Sequence, residues 1–393
     1  MIVGIDIRHL SARQSGGIAG YTVHLIDYLS KTFPDTTFKL FSTGKSSPVA
    51  EKILKDRKNF VLKHINLPNR FLDPSFRFLK APLIDRLMGG IDVFLSPHFL
   101  STALSASCPR ILIIHDLSFV RFPELFSWQD KLWHGLMDPK AQTQKADRII
   151  TVSMATKKDL MNIWKTPENK IKVVHSGIDQ FFMDRAAHEG EREEIKTKYK
   201  LPGRFILALS VIEPRKNYVN LIKAFEILKN SDPKSSSNLS LVIAGPLTHR
   251  ASDTVAAAKR SPYRREIIFT DFIDENDKPL VYDLAEIFVY PSLFEGFGFP
   301  PLEAMARGIP TIVSNRSSLP EIVGEAALSV DPYNISALAD TMGRLLKDEN
   351  ARNFLKQKGI SKAKEYDWNI AVGQIHSILE QEVDLKRNKI FAS

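Results

Sequence analysis

Short apolar runs, each followed by a stretch of helical length, occur in two successive sets, and that alternation restricts the fold more than any other feature. The first set is Ile2–Ile7, Phe38–Phe41, Asp92–Leu95, Ile111–Ile114, Arg148–Val152 and Ile171–Val174. The second is Phe205–Leu209, Ser240–Ala244, Ile267–Phe269, Ile287–Tyr290, Thr311–Val313 and Ala326–Val330. Runs this short and this apolar suit strands covered on both faces, and parallel strands need long crossovers to join them. The pattern therefore predicts an α/β chain with two doubly wound parallel sheets. Residues 180–203 are charged, poor in apolar side chains and closed by Pro202-Gly203, as suits a linker. The expected domains are 1–180 and 204–372, with a linker at 181–203, and 393 residues give each domain room for a core. The tail YDWNIAVGQIHSILEQEV is amphipathic at helical spacing.

Composition removes several function classes. No apolar run approaches the ~18 residues of a transmembrane helix, and MIVGIDIRHL enters a strand pattern at once, without a signal peptide's regions. A single cysteine, Cys108, permits no internal disulfide, so a reducing cytoplasmic setting is expected. Residues 1–180 hold 25 Lys+Arg against 16 Asp+Glu, a net +9, and the remainder holds 29 of each. The first half should thus face something anionic. No nucleic-acid-binding motif accompanies the charge, so an anionic membrane surface or a lipid diphosphate is the expected partner. Residues 51–90 interleave Lys52, Lys55, Arg57, Lys58, Lys63, Arg70, Arg77, Lys80 and Arg86 with Phe71, Phe76 and Phe78. Such a segment is either an ordinary surface helix or loop, or a seat for anionic headgroups with aromatics dipping into the interface.

The densest chemistry lies in Tyr290 to Ser314, YPSLFEGFGFPPLEAMARGIPTIVS. A buried strand ends at Tyr290, and a turn with Gly296 and Gly298 lets backbone approach a ligand closely. Pro300 and Pro301 suit the first positions of a helix running from Leu302 to Arg307, which Gly308 stops. A glycine loop thus leads into a helix N-terminus at a strand's carboxyl end, where open α/β sheets bind phosphorylated ligands. Two carboxylates, Glu295 and Glu303, sit at this anion-favouring place. Glu303 alone is also explained as an acid complementing the helix dipole. As a pair they suit hydroxyls or a developing positive charge.

The pattern E-G-F-G-F-P-P-L-E followed by G-I-P-T-I-V-S resembles the E-x7-E signature of retaining, nucleotide-sugar-dependent glycosyltransferases of the GT-B fold, family 4. The resemblance implies two Rossmann-like domains facing across a cleft, with an acceptor-side N-terminal domain and a donor-side C-terminal domain. It also implies that a last helix, about 373–393, crosses back onto the first domain. On this likeness Glu303 holds the donor ribose, and Glu295 binds sugar hydroxyls with the amides of Phe297, Gly298 and Phe299. The motif E-P-R-K-N makes Arg215 and Lys216 the diphosphate grip, just before a helix near Tyr218. Many relatives carry an Arg five positions before that Lys, where this chain has Val211. Gly16 and Gly17, in SGGIAG, match the loop that closes over the diphosphate, though a glycine turn is also a plain chain reversal. His115, in H-D-L-S-F-x-x-F-P-E, resembles the donor-sugar histidine of bacterial polysaccharide mannosyltransferases, and Asp116 either fixes its tautomer or caps the next turn. Ile273 matches a base-contacting position.

These likenesses make the expected activity transfer of a hexose, with retention, from a nucleotide sugar to a lipid-linked or polysaccharide acceptor, as in O-antigen or lipopolysaccharide synthesis. GDP-mannose is the first choice of donor, a UDP-sugar the alternative, and a GT-B sugar-nucleotide epimerase a further reading. No D-x-D pair and no His/Cys cluster occurs, so no metal or cofactor is expected, the cations neutralising the leaving diphosphate. A front-face departure is the expected route to retention. The enzyme is expected to be peripheral on the inner membrane face.

Overall fold

The computed structural model describes residues 1–11, 17–44, 57–184, 189–234, 236–248 and 250–391. They form two compact units, one of Met1–Gly177 with Asp367–Ser393, the other of Ile178–Tyr366. The first holds a parallel sheet of β1 (Ile2–Asp6), β2 (Thr37–Thr43), β3 (Phe60–Ile65), β4 (Val93–Ser96), β5 (Arg110–Ile114), β6 (Arg148–Thr151) and β7 (Ile171–Val173). Their spatial order is β3-β2-β1-β4-β5-β6-β7. The second holds β8 (Arg204–Leu209), β9 (Leu239–Ala244), β10 (Ile267–Phe269), β11 (Ile287–Tyr290), β12 (Thr311–Ser314) and β13 (Leu328–Val330). Here the order is β10-β9-β8-β11-β12-β13, again all parallel.

In both sheets the chain first moves outward on one side and then returns to continue on the other. The reversal falls between β1 and β4 in the first unit and between β8 and β11 in the second. In open sheets of this kind, ligands bind beyond the carboxyl ends of the strands at that reversal. One strand, β3, escaped the apolar-run reading. It lies at the sheet's edge with an alternating FVLKHI sequence, and only Phe60 is buried, so no continuous apolar run marks it.

Helices cover the sheets by ordinary amphipathic logic. The helix Tyr218–Ser231 buries Tyr218, Leu221, Ile222, Phe225 and Leu228, spaced three and four apart, against the second sheet. Each such side chain contributes about 1.5–3 kcal/mol by leaving water. The stretch 181–203, expected as a linker, carries the helices Gln180–Asp184 and Glu189–Tyr199. Phe182, Ile195 and Leu201 are buried, and the stretch belongs to the second unit.

The last helix spans Trp368–Phe391 and packs along the helix Gly17–Thr32 within the first unit. Trp368 is fully buried, its ring 5.2 Å from Tyr21, 5.8 Å from His24 and 6.0 Å from Tyr28. Gly177 makes this seat possible. A Cβ there would stand 2.2 Å from the Trp368 backbone nitrogen. Gly177→Ala should therefore force Trp368 out of its seat and destabilise the first unit by about 3 kcal/mol, read as a lowered urea midpoint followed by tryptophan fluorescence. An unchanged midpoint would contradict this packing account.

Candidate active site

Two loops at the reversal of the second sheet are stapled together. After β8, the turn Pro214–Lys216 ends at Asn217, whose φ of 61° lies in the left-handed region that asparagine tolerates. Its side-chain amide donates to the carbonyls of Pro291, at 3.2 Å, and Pro332, at 2.8 Å. The Arg215 carbonyl accepts from the Leu293 amide at 2.8 Å and from the Ser292 hydroxyl at 3.2 Å. The E-P-R-K-N turn and the P-S-L-F-E loop after β11 therefore share one backbone frame.

Within that frame stands a buried ionic cluster. Lys216 Nζ donates to Glu295 Oε1 and to the Tyr290 hydroxyl, each at 2.7 Å. Arg215 Nη1 donates to Glu295 Oε2 at 2.9 Å and to the Phe294 carbonyl at 2.7 Å. Oε1 of Glu295 also accepts from the hydroxyls of Ser292, at 2.6 Å, and Tyr290, at 3.0 Å. Arg215 reaches Glu213 on its other side, at 2.7 Å. Burial alone would raise the Glu295 carboxyl, but Arg215 and Lys216 outweigh it and hold it at about 2. Burial, with Arg215 next to it, lowers the Lys216 ammonium from its ordinary value, against the pull of Glu295. Arg215, Lys216 and Glu295, read from separate motifs in the sequence, are thus in direct contact.

The helix Phe299–Ala306 begins at Gly298, whose φ is 117°. A Cβ there would lie 2.7 Å from Leu319 Cδ2, so only glycine fits. Phe297 is buried, 5.0 Å from the Phe299 ring and 5.7 Å from Tyr366. Its carbonyl and that of Glu295 accept from the Ser318 hydroxyl, at 2.7 and 2.9 Å. Glu303, on this helix, accepts from the Tyr282 hydroxyl at 2.8 Å. Burial raises its carboxyl from the ordinary value, while Lys278 and Tyr282 pull the other way. Ile273 is buried in the loop after β10, which Tyr199 and Lys198 fasten through Asp277 at 2.7 and 2.6 Å.

In the first unit, His115 sits at the carboxyl end of β5. Its Nε2 donates to the Pro97 carbonyl at 2.9 Å, which leaves Nδ1 as the acceptor of a neutral ring. Burial lowers its basicity, and Tyr21 meets it edge-on at 4.7 Å. Asp116 caps the following turn, accepting from the amide and hydroxyl of Ser118 at 2.8 and 2.6 Å. Gly17 opens the helix Gly17–Thr32, whereas Gly16 lies outside the described residues. The Cys108 thiol, raised to about 12 by burial and nearby carboxylates led by Asp85, is no nucleophile.

Sequence reasoning passed over Ser292, Tyr290, Ser317 and Ser318, which hold Glu295 by side chain or carbonyl. Ser317 and Ser318 follow β12, and only their place after a central strand could have signalled them. His9 and His98 were also passed over. They follow β1 and β4, the strands at the first sheet's reversal, with rings 5.7 Å apart.

The model of the family described as glycosyl transferases group 1 matches residues 191–362, and that of glycosyltransferase family 4 matches residues 15–180. The chain is a glycosyltransferase built of a family 4 domain and a group 1 domain. The serotype-specific mannosyltransferase WbdA of Escherichia coli is 28% identical over 260 residues, 66% of this glycosyltransferase but only 32% of WbdA. The O-antigen chain mannosyltransferase B of Escherichia coli is 28% identical over 70% of this chain and 69% of its own. Among solved structures, a Rickettsia africae glycosyltransferase superposes with a TM-score of 0.74 at 17% identity, covering 97% and 98% of the two chains. Anabaena Alr3699/HepE, solved with UDP-glucose, gives 0.72 at 16% identity, covering 97% and 100%. Both show that the glycosyltransferase has the GT-B fold.

The Glu295 cluster gives the glycosyltransferase a defined acid response. A carboxyl held at about 2, below its ordinary unfolded value, contributes stability that is complete above pH ~4.3 and is lost as pH falls toward the folded value. Urea unfolding between pH ~5 and ~2.5 should thus show a steeper loss of stability in the wild type than in Glu295→Gln, by up to ~1.4 kcal/mol per pH unit. Equal slopes would remove Glu295 from the acid response.

Proposed function

We propose that this glycosyltransferase moves a hexose, mannose from GDP-mannose in the first instance, to a lipid-linked or polysaccharide acceptor of cell-surface glycan synthesis, with retention of configuration. The observation that carries the donor assignment is the juxtaposition of Arg215, Lys216 and Glu295 at the reversal of the second sheet. Two cations at such a place suit a diphosphate, and a carboxylate beside them suits sugar hydroxyls. Mannose is favoured by the mannosyltransferases among the relatives and by the H-D-L-S-F context around His115.

In this reading the donor diphosphate lies on Arg215 and Lys216, whose charge stabilises the leaving group as negative charge develops on it, without a metal. Glu303, its carboxyl oriented by Tyr282, accepts from the ribose hydroxyls. Ile273 lies beside the base. The helix start at Phe297, Gly298 and Phe299 addresses the sugar through backbone amides, and proline at 300 and 301 removes the next two donors. His115, neutral and held by Pro97, is assigned to the reacting end of the sugar, and Gly16-Gly17 to the diphosphate loop. Departure of the nucleoside diphosphate on the face where the acceptor attacks would give retention without a second nucleophilic carboxylate.

The acceptor side is read from the first unit's surface. Phe71, Phe78 and Leu79 are 55%, 66% and 74% exposed, and Trp128 and Leu132 are 70% and 67% exposed. Arg77 joins the two groups by donating to the Gly135 carbonyl at 2.7 Å. Exposed aromatics beside Arg70, Arg77 and Lys80 suit an anionic lipid interface. Of the cations counted for that role, Lys52 and Lys55 lie outside the described residues. No helix among the described residues is long and apolar enough to cross a membrane, so association would be interfacial.

Thermal unfolding with GDP, UDP, ADP and dTDP, each with and without Mg²⁺, tests the donor. GDP should raise the melting temperature selectively and equally in both conditions. Selective stabilisation by UDP would replace the sugar, and no response to any of them would overturn the assignment. For the membrane surface, Phe78→Ser with Leu79→Ser should abolish most co-sedimentation with anionic vesicles and leave unfolding stability within about 1 kcal/mol of wild type. Unchanged co-sedimentation would discard that surface.

A further inference from the structure

We infer that Glu295 is a built-in counter-anion of the diphosphate grip, so that Glu295 and a nucleoside diphosphate compete for Arg215 and Lys216. The inference rests on the proposed donor site and adds a handover to it. Lys216 has three donors and gives two of them to Glu295 and Tyr290. Arg215 divides its fork between Glu295 and Glu213. The two cations and the two carboxylates they touch sum to zero charge. A diphosphate arriving here therefore meets an anion already engaged at short range. It gains the full field of the cations only to the extent that a carboxylate lets go.

Geometry makes Glu295 the group that yields. The cations are anchored by other bonds, Lys216 to Tyr290 and Arg215 to the Phe294 carbonyl, and they keep these when Glu295 turns away. The carboxylate then retains the hydroxyl of Ser292 or meets a hydroxyl of the incoming sugar. Glu295 enters the exchange ionised, held so by the two cations. When the sugar has left, the carboxylate returns to Lys216 and Arg215 and opposes the nucleoside diphosphate, which now carries one more negative charge. Glu295 thereby weakens the hold on the product, and the same residue that greets the sugar assists release of the leaving group.

Binding of GDP, UDP and inorganic pyrophosphate to the full chain, measured by calorimetry, tests this, with the unphosphorylated nucleosides as a control. Glu295→Gln keeps the size and one acceptor oxygen but removes the charge. It should bind pyrophosphate and the preferred nucleoside diphosphate about tenfold more tightly, with nucleoside affinity unchanged and turnover reduced. Since that variant leaves a buried lysine short of its counter-ion, a second one guards against a folding defect. Glu213→Gln, at a partly exposed carboxylate on the other side of Arg215, should tighten the same ligands about threefold while its melting temperature stays close to wild type. Affinity that is equal or weaker in both variants, with a wild type that binds, overturns the counter-anion alone. A wild type that binds none of these ligands overturns the donor site and this inference together.

Discussion

A lysine and a glutamate, each buried, meet at 2.7 Å where the second sheet reverses, and the local architecture follows from keeping them there. Each ion alone would be costly to bury, and removal of one partner from such a pair typically costs about 3–5 kcal/mol. The protein offsets burial with hydrogen bonds. Glu295 accepts from Ser292 and Tyr290 as well as from the cations, and Tyr290 closes a triangle by accepting from Lys216. For these groups to converge, the turn after β8 and the loop after β11 must be in register. Parallel pairing of Ile287 with Ile206 and of Phe288 with Leu207 sets that register. The Asn217 amide then locks the two loops above it.

In the proposed reading, the same arrangement lets one short segment meet an anion and sugar hydroxyls together. The loop from Ser292 to Gly298 leaves β11, carries Glu295 back toward the cations, and then turns at Gly298 into a helix. The turn needs a φ of 117° and no side chain, so the backbone comes close to whatever lies above it. Ser317 and Ser318, from the segment after β12, hold the Glu295 carbonyl from the far side. Three neighbouring strands thus each supply one wall of the carboxylate's seat.

Most of the architecture was legible because parallel strands covered on both faces must be apolar throughout. β10 and β11 coincide with the runs read from sequence. The exceptions share one cause. β3 is an edge strand, half in water, and the described residues of 181–203 bury three apolar side chains, Phe182, Ile195 and Leu201, while the helix Glu189–Tyr199 is largely charged. Both therefore look like loop or linker. The candidate residues stood out as types at strand ends, Glu295 and Glu303 around a glycine turn and Arg215 and Lys216 just before a helix. Their partnership did not. That Glu295 grips Lys216 depends on β8 and β11 being neighbours, which is a fact of strand order and not of local sequence.

The uneven charge of the chain bears on how the first unit works. That unit, with its returning helix, holds 28 Lys+Arg against 19 Asp+Glu, the whole net +9 of the molecule. Several of these cations face inward. Arg8 is buried between Asp6, at 2.7 Å, and Asp73, at 2.9 Å; Arg110 lies under the sheet beside Gln142 and Ser96; Lys39 donates to the carbonyls of Met88, Gly89 and Gly90. Arg148 is paired with Glu382 of the last helix. Charge that is fixed this way organises the fold and contributes little beyond a Debye length of about 8 Å at physiological salt. The surface set includes Arg70, within about cation–π range of the exposed Phe71, and Arg77, within the same range of Phe78 and itself paired with Asp138 at 3.3 Å. A guanidinium stacked on an exposed ring stays close to the apolar face without losing its charge, which is the pairing an interface between headgroups and hydrocarbon selects.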